Sequence, residues 1–253
     1  MNNLEKIPVT ILTGFLGAGK TTLIRNLIIK NKSKRLAVII NEFGDLGVDG
    51  EMVKQCSDKT CPEENILELA NGCICCTVAD DFVPTMQTLL DGKYLPEHIL
   101  IETSGLALPK PLLKAFEWPE IRSKLTVDSV LAVVDAEAVV NGVFAPQMSS
   151  EMEKKQKETY VEHETPLSEV FEDQINCSDI VLLTKPDLVK NPSVAKDIII
   201  KEMERNVPIL EVQSGDIEAD LILGIGAAAE TDLENRKSHH DGFDDHEHDD
   251  FET

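Results

Sequence analysis

Near the start of the chain, Gly14-Phe15-Leu16-Gly17-Ala18-Gly19-Lys20-Thr21 satisfies the pattern G-x-x-x-x-G-K-[ST]. The chemistry of that pattern is phosphate binding. Its glycines let backbone N–H groups close around a polyphosphate, Lys20 reaches the β and γ oxygens, and the Thr21 hydroxyl faces Mg²⁺. A second group is Cys73-Ile74-Cys75-Cys76. Three thiols in four residues are soft ligands for a metal such as Co²⁺ or Zn²⁺, with redox chemistry and plain packing as the alternatives. A third is Thr184-Lys185-Pro186-Asp187. The Asp187 carboxylate can accept from both N1–H and the 2-amino group of guanine, and the Lys185 stem can lie over the ring. A simple Lys-Pro-Asp turn is the alternative.

Each group needs an element to hold it. The apolar run 7–13 suits a buried strand, and residues 22–30, with Leu23, Ile24, Leu27 and Ile28 at helical spacing, suit a helix. Strand, loop and helix are the context a phosphate loop requires, and Thr22 joins Gly14, Gly17, Ala18, Gly19, Lys20 and Thr21 as a nucleotide-binding residue. Residues 35–40 read as a second buried strand that ends in Asn41-Glu42-Phe43-Gly44-Asp45. Glu42 and Asp45, at a strand end beside a phosphate loop, are candidates to face a metal, a solvated acidic turn being the alternative. Gly44, Gly47 and Gly50 mark either a switch-like segment or an ordinary long loop, and residues 51–65 read as a polar loop.

A strand at 98–101 ends in Glu102-Thr103-Ser104-Gly105. There Glu102 suits a second Mg²⁺ contact, and the Gly105 N–H is placed to sense a γ-phosphate. Strands at 127–134, 179–183 and 207–212 follow, with a helix at 167–175 before the second of them. After the last strand, Ser214 can approach the base from below. Helix formation between 106 and 117 is expected to start at or after Pro111 and to end at Trp118-Pro119.

The thiols follow a short strand at 66–69 and precede Thr77-Val78-Ala79-Asp80, a capping box opening a helix to about residue 90. Just before a helix N-terminus, the dipole favours thiolate. If the segment is extended, Cys73 and Cys75 share a face; if it is helical, Cys73 and Cys76 do. A tetrahedral site then needs further donors, with Glu42, Asp45 or a histidine as candidates. Cys56 and Cys61 are either a second thiol site or incidental. Cys177 reads as a small buried hydrophobe and His163 as a surface histidine.

With 253 residues and 42% hydrophobic content, the expected fold is one α/β domain, a mostly parallel sheet flanked by helices. A formal charge of −22 argues against a nucleic-acid backbone as partner and disfavours an anionic membrane. Periodicity fails beyond Leu223, so the domain is expected to span 1–224. Residues 225–253 then form a flexible acidic tail rich in His and Asp, linking to a further domain and able to attract metal. No run of 18 apolar residues and no basic leader is present, so a cytoplasmic location is expected.

Together, residues 14–21, 41–45, 73–76, 102–105 and 184–187 resemble the CobW family of P-loop GTPase metallochaperones, over about residues 7–216. Residues 69–78 and 102–109 are most similar to the branch that supplies cobalt for cobalamin biosynthesis. The resemblance implies a slow GTP hydrolase that uses GTP and Mg²⁺, with Lys20 and Glu102 as catalytic residues. It implies Co²⁺ or Zn²⁺ as cargo on Cys73, Cys75 and Cys76 and a metal-accepting partner such as a cobaltochelatase, and it leaves open whether GTP drives formation of a dimer. The alternatives are a zinc or nickel chaperone of the same fold, a GTPase switch with a structural zinc, and thiol redox chemistry at Cys75-Cys76 involving Cys73, since adjacent cysteines close only a strained ring.

Overall fold

The computed structural model of the chain describes residues 6–31, 33–41, 48–69, 82–142 and 167–239. Seven strands, β1 (Ile7–Thr13), β2 (Leu36–Asn41), β3 (Ile66–Leu69), β4 (His98–Glu102), β5 (Leu125–Asp135), β6 (Ile180–Thr184) and β7 (Ile209–Val212), form one sheet in the order β3-β2-β4-β1-β5-β6-β7. Every pairing is parallel. Parallel neighbours need crossovers, and the helices supply them: α1 (Lys20–Lys30), α2 (Val48–Lys54), α3 (Val83–Leu90), α4 (Pro109–Ala115), α5 (Pro119–Arg122), α6 (Ala136–Asn141), α7 (Leu167–Cys177) and α8 (Pro192–Glu202).

The strands are apolar at consecutive positions because both faces of the sheet are covered. In β4, Ile99 and Ile101 enter one core cluster with Phe82, Leu112 and Phe116, while Leu100 enters the opposite cluster with Leu23, Leu27 and Ile40. The period-2 alternation of a strand divides a continuous Ile-Leu-Ile run between the two layers.

Several helices depart from the sequence expectations. A helix, α2, stands where residues 51–65 read as a polar loop, and it buries Val53. Seven residues are too few to print a helical period. The second is α8, announced by Asn191 and Pro192: the Asn191 side chain accepts from Ser193 N at 3.1 Å and Pro192 takes the first helical position. Third, Trp118-Pro119 starts α5 as well as ending α4, and α4 itself begins at Pro109.

The largest correction concerns the boundary at 224. Residues 225–239 pack onto the body of the fold: Ala229 and Arg236 are buried. Asp128 accepts from Gly224 N and Gly226 N at 2.7 Å each, and the Glu230 carboxylate accepts from Thr126 Oγ1 at 2.6 Å and Val127 N at 2.9 Å. Further on, Asp173 accepts from Ser238 Oγ at 2.7 Å and His239 N at 3.0 Å. This strap is built from single 3₁₀ turns and isolated hydrogen bonds, which carry no hydrophobic period for a sequence reading to detect. Residues 240–253, with most of the His/Asp tract, lie outside the described residues.

Asp128 occupies a bulge in β5, where the register against β1 shifts between Val9 and Thr10. Its neighbour His98 is fully buried, with Nε2 2.8 Å from Thr10 Oγ1 and no partner for Nδ1 among the described residues. Burial pushes the imidazole down to about 4 from its ordinary 6.5, against the opposing pull of Asp128. The unfolded chain therefore takes up a proton near pH 6.5 that the folded chain refuses until about pH 4, so stability falls as pH drops through that window. His98→Gln removes this contribution. Thermal unfolding at pH 7.5 and pH 5 should show a fall of several degrees in the wild type that is smaller in the variant; an equal fall in both rules out His98 as the source.

Candidate nucleotide site

β1 runs out at Thr13 and the chain turns through Gly14–Gly19 into α1. At Gly14, φ is 135° and a Cβ would stand 2.1 Å from Val133 O, so no other residue fits there. Gly17 and Gly19 also have positive φ, 78° and 102°. The loop closes on itself through Ala18 N to Phe15 O at 3.1 Å, and the first helical bond runs from Leu23 N to Gly19 O at 2.9 Å. The Lys20 side chain folds over this loop: its ammonium donates to Gly14 O at 2.7 Å and Phe15 O at 3.2 Å, and only 6% of the residue is exposed. Thr22 is exposed on the first turn of α1.

β4 lies beside β1, with Leu12 opposite Glu102. This register brings the Thr21 hydroxyl to the Glu102 carboxylate, to which it donates at 3.1 Å. Both groups are hard oxygen donors of the kind that Mg²⁺ accepts. The turn after Glu102 is fastened to β1 by Thr103 N to Leu12 O at 2.9 Å. Gly105 rests directly on the phosphate loop, where a Cβ would stand 2.6 Å from Leu16 N.

On the other side of β1, the ends of β5, β6 and β7 carry the residues that the sequence pattern assigns to the base. The Thr184 hydroxyl is turned inward, 2.7 Å from Ala18 O and 3.1 Å from Val134 O, so its hydrogen bonds tie this strand end to the phosphate loop. Lys185 has a left-handed backbone, φ 51°, and its ammonium donates to Gly17 O at 2.9 Å and to Asp135 Oδ2 at 2.5 Å. Asp187 is exposed in the 3₁₀ turn Pro186–Leu188. Ser214 and Gly215, both with positive φ, are held against α1 by Asn26 Nδ2 donating to Ser214 O at 2.8 Å. All these groups lie beyond the carboxyl ends of the strands, on both sides of β1, the position at which open parallel sheets bind ligands.

Sequence reasoning passed over three residues here. Asp135 tethers Lys185 and also caps α6, accepting from Glu137 N and Ala138 N; an aspartate between a strand and a helix carries the cap signature. Asn26 and Gln174 lie within helices, and nothing in their spacing marks them. Among the thiols, Cys61 is buried and pushed up to about 12 by desolvation, which makes it a packing group, not a thiolate. Cys177 is likewise buried and up at about 12. Glu42, Asp45, Cys73, Cys75 and Cys76 lie outside the described residues, and among those described no three His, Cys, Asp or Glu side chains group to hold a metal.

A phosphate loop between a parallel strand and its helix, with a Thr–Glu pair beneath it in an all-parallel sheet, defines a P-loop nucleoside-triphosphate-binding domain. The family model described as CobW/HypB/UreG, nucleotide-binding domain, matches residues 8–211. The chain belongs to that family and is a P-loop GTPase domain. It is 48% identical over 257 residues to the zinc chaperone CobW of Sinorhizobium sp, covering 99% of this chain and 73% of that protein. To the zinc chaperone CobW of Pseudomonas aeruginosa it is 47% identical over 246 residues, covering 95% of this chain and 66% of the relative. The chain thus spans about two thirds to three quarters of these two relatives. In fold it is similar to the Zn(II)-bound YjiA GTPase from E. coli, with a TM-score of 0.57 at 24% identity over 88% of this chain and 63% of that one.

Proposed function

We propose that this chain is the GTPase part of a metallochaperone. It holds a divalent metal on Cys73, Cys75 and Cys76 while Mg-GTP occupies residues 14–21, and releases the metal when GTP is hydrolysed. One observation carries the reading: Asn41, Leu69 and Glu102 end three adjacent strands on the edge that carries the phosphate loop, with Asn41 opposite Leu69 and Ile40 opposite Glu102. Neighbouring strands stand about 4.8 Å apart. Cys73 follows Leu69 by four residues, a reach of at most about 14 Å, and Glu42 follows Asn41 directly. The cargo thiols are therefore tethered to the same edge as the groups that sense phosphate, which is the arrangement an order–disorder switch needs.

Within the site, Thr21 and Glu102 would hold Mg²⁺, which when bound neutralises charge on the phosphates. Lys20 supplies a fixed positive charge in the loop, and Gly105 presents its N–H from a turn seated on Leu16. Asp187 and Lys185 select guanine. Zinc is favoured as cargo, because the two relatives at 47–48% identity are named zinc chaperones. Cobalt, with delivery to a cobaltochelatase for cobalamin biosynthesis, is the second reading; it rests on residues 69–78 and 102–109, and thiolates accept both ions. A GTP-driven carrier with a thiolate cargo site belongs in the cytoplasm, where thiols stay reduced.

Competitive chelator titration tests the coupling. Zn²⁺ should bind at least about tenfold more tightly with Mg²⁺ and a non-hydrolysable GTP analogue than with Mg-GDP, and zinc should tighten the analogue by the same factor. Equal zinc affinity in the two states defeats the proposal. Replacing Cys75 and Cys76 by alanine should abolish tight metal binding and leave the fold and GTP binding intact; unfolding of that variant assigns the metal a structural role instead.

A further inference from the structure

Between Glu102 and α4 lies the turn that meets the phosphate loop, and a side chain from a distant element holds it. Gln174 on α7 is 2% exposed, and its Nε2 donates to Gly105 O at 3.1 Å and to Ala107 O at 3.1 Å. A primary amide carries two hydrogens on one nitrogen, so a single side chain can satisfy two carbonyls two residues apart. The turn is also held by Thr103 N and Thr103 Oγ1, both donating to Leu12 O at its start, and by Ala107 N to Ser104 O at 3.1 Å within it. Gln174 is thus a clamp on the carbonyl side of Gly105, while the other side of that glycine abuts Leu16.

The helix that carries Gln174 is itself seated on the phosphate loop. Phe171, one turn earlier, lies against Phe15 with ring centroids 6.3 Å apart. Phe15, Leu16, Phe171 and Gln174 together border an apolar cavity of about 20 Å³, roughly the space of one water. In such surroundings a carboxamide without partners is costly, and a carboxylate at the same place would aim negative charge at two carbonyl oxygens.

We propose that Gln174 is a positioning residue for GTP hydrolysis. By fixing the Gly105 and Ala107 carbonyls it holds the peptide that follows Gly105, and so anchors the turn from which the Gly105 N–H, on the preceding peptide, faces the γ-phosphate; GDP, which lacks that phosphate, is bound without its help. The inference rests on the reading that this chain hydrolyses GTP at residues 14–21.

The test uses the whole chain with Gln174→Met, which keeps length and apolar packing but removes the donors, and Gln174→Glu, which keeps shape and reverses the hydrogen-bond character. GDP affinity, GTP turnover under saturation and hydrogen exchange of the 103–108 backbone are measured for each. The expected result is GDP affinity within about twofold of wild type, kcat lower by about tenfold to a hundredfold, and faster exchange confined to the turn. A kcat within twofold of wild type overturns the proposal, as does a parallel loss of GDP affinity and kcat. If one variant fails to fold, the other decides; if both fail, Gln174 is a packing residue and the proposal falls. Wild-type protein that binds GDP and GTP but releases no phosphate defeats the hydrolysis reading first, and is told apart from failure of the Gln174 proposal because it appears before any substitution is made.

Discussion

Lys20→Ala lowers kcat/KM for GTP hydrolysis by about a thousandfold or more while leaving a folded protein. Its ammonium already lies inside the loop, donating to the Gly14 and Phe15 carbonyls, and is almost wholly shielded from water. A charge preorganised in a shielded site interacts with developing phosphate charge far more strongly than the same charge in water, and costs little to reorganise during reaction. Alanine removes that charge and keeps every glycine of the loop, with Gly14 still seated against the Val133 carbonyl. Phosphate release measured over a range of GTP concentrations checks the effect, with far-UV circular dichroism as the control for folding. A loss of less than about tenfold places hydrolysis somewhere other than this loop.

Arg236→Met is expected to destabilise the chain by about 3 kcal/mol, at the lower end of the cost of breaking a buried ion pair. Arg236 is 1% exposed, and its guanidinium donates to the Cys177 carbonyl and to Asp179 Oδ1. Asp179 in turn accepts from Val130 N at 2.8 Å, so the pair connects the strap to β5 and to the end of α7. With methionine at 236, Asp179 retains a longer contact to Arg205 at 3.5 Å, which is why the lower end of the range applies. For a domain of this size the loss corresponds to about 6–12 °C in midpoint. Chemical denaturation of the variant checks it, and hydrogen exchange should accelerate across 225–239. A loss under about 1 kcal/mol would make the strap an appendage, and truncation at 224 would then be harmless.

The two predictions fall on opposite sides of what a linear reading can reach. Lys20 is legible from its own neighbours, because a phosphate loop is local: eight consecutive residues, a strand before and a helix after determine where every donor goes. The strands were legible for a similar reason, since burial on both faces demands runs such as Leu36-Ala37-Val38-Ile39-Ile40. Arg236 is not legible. Its partners Cys177 and Asp179 lie 59 and 57 residues away, and its own segment has no period. A charged residue in an acidic, Gly-containing stretch reads as solvated tail until the fold supplies a buried carboxylate and an unpaired carbonyl at the right place. The helices α2 and α6 escaped notice by being short, and α8 although Asn191-Pro192 announced its start.

From the sequence alone followed the α/β sheet and the phosphate loop at 14–21, together with the proposals that 184–187 take guanine and 73–76 a soft metal. What the tertiary structure decided is how those pieces are joined. The parallel register sets Leu12 opposite Glu102, and thereby Thr21 against Glu102. The strand order also sets Leu69 and Asn41 side by side on the phosphate edge, turns Thr184 inward onto Ala18, and brings Gln174 under Gly105. The physical reason is range. Backbone conformation and ligand type are properties of neighbouring residues, whereas pairing register, burial and the partner of a buried amide depend on segments brought together only when the sheet closes.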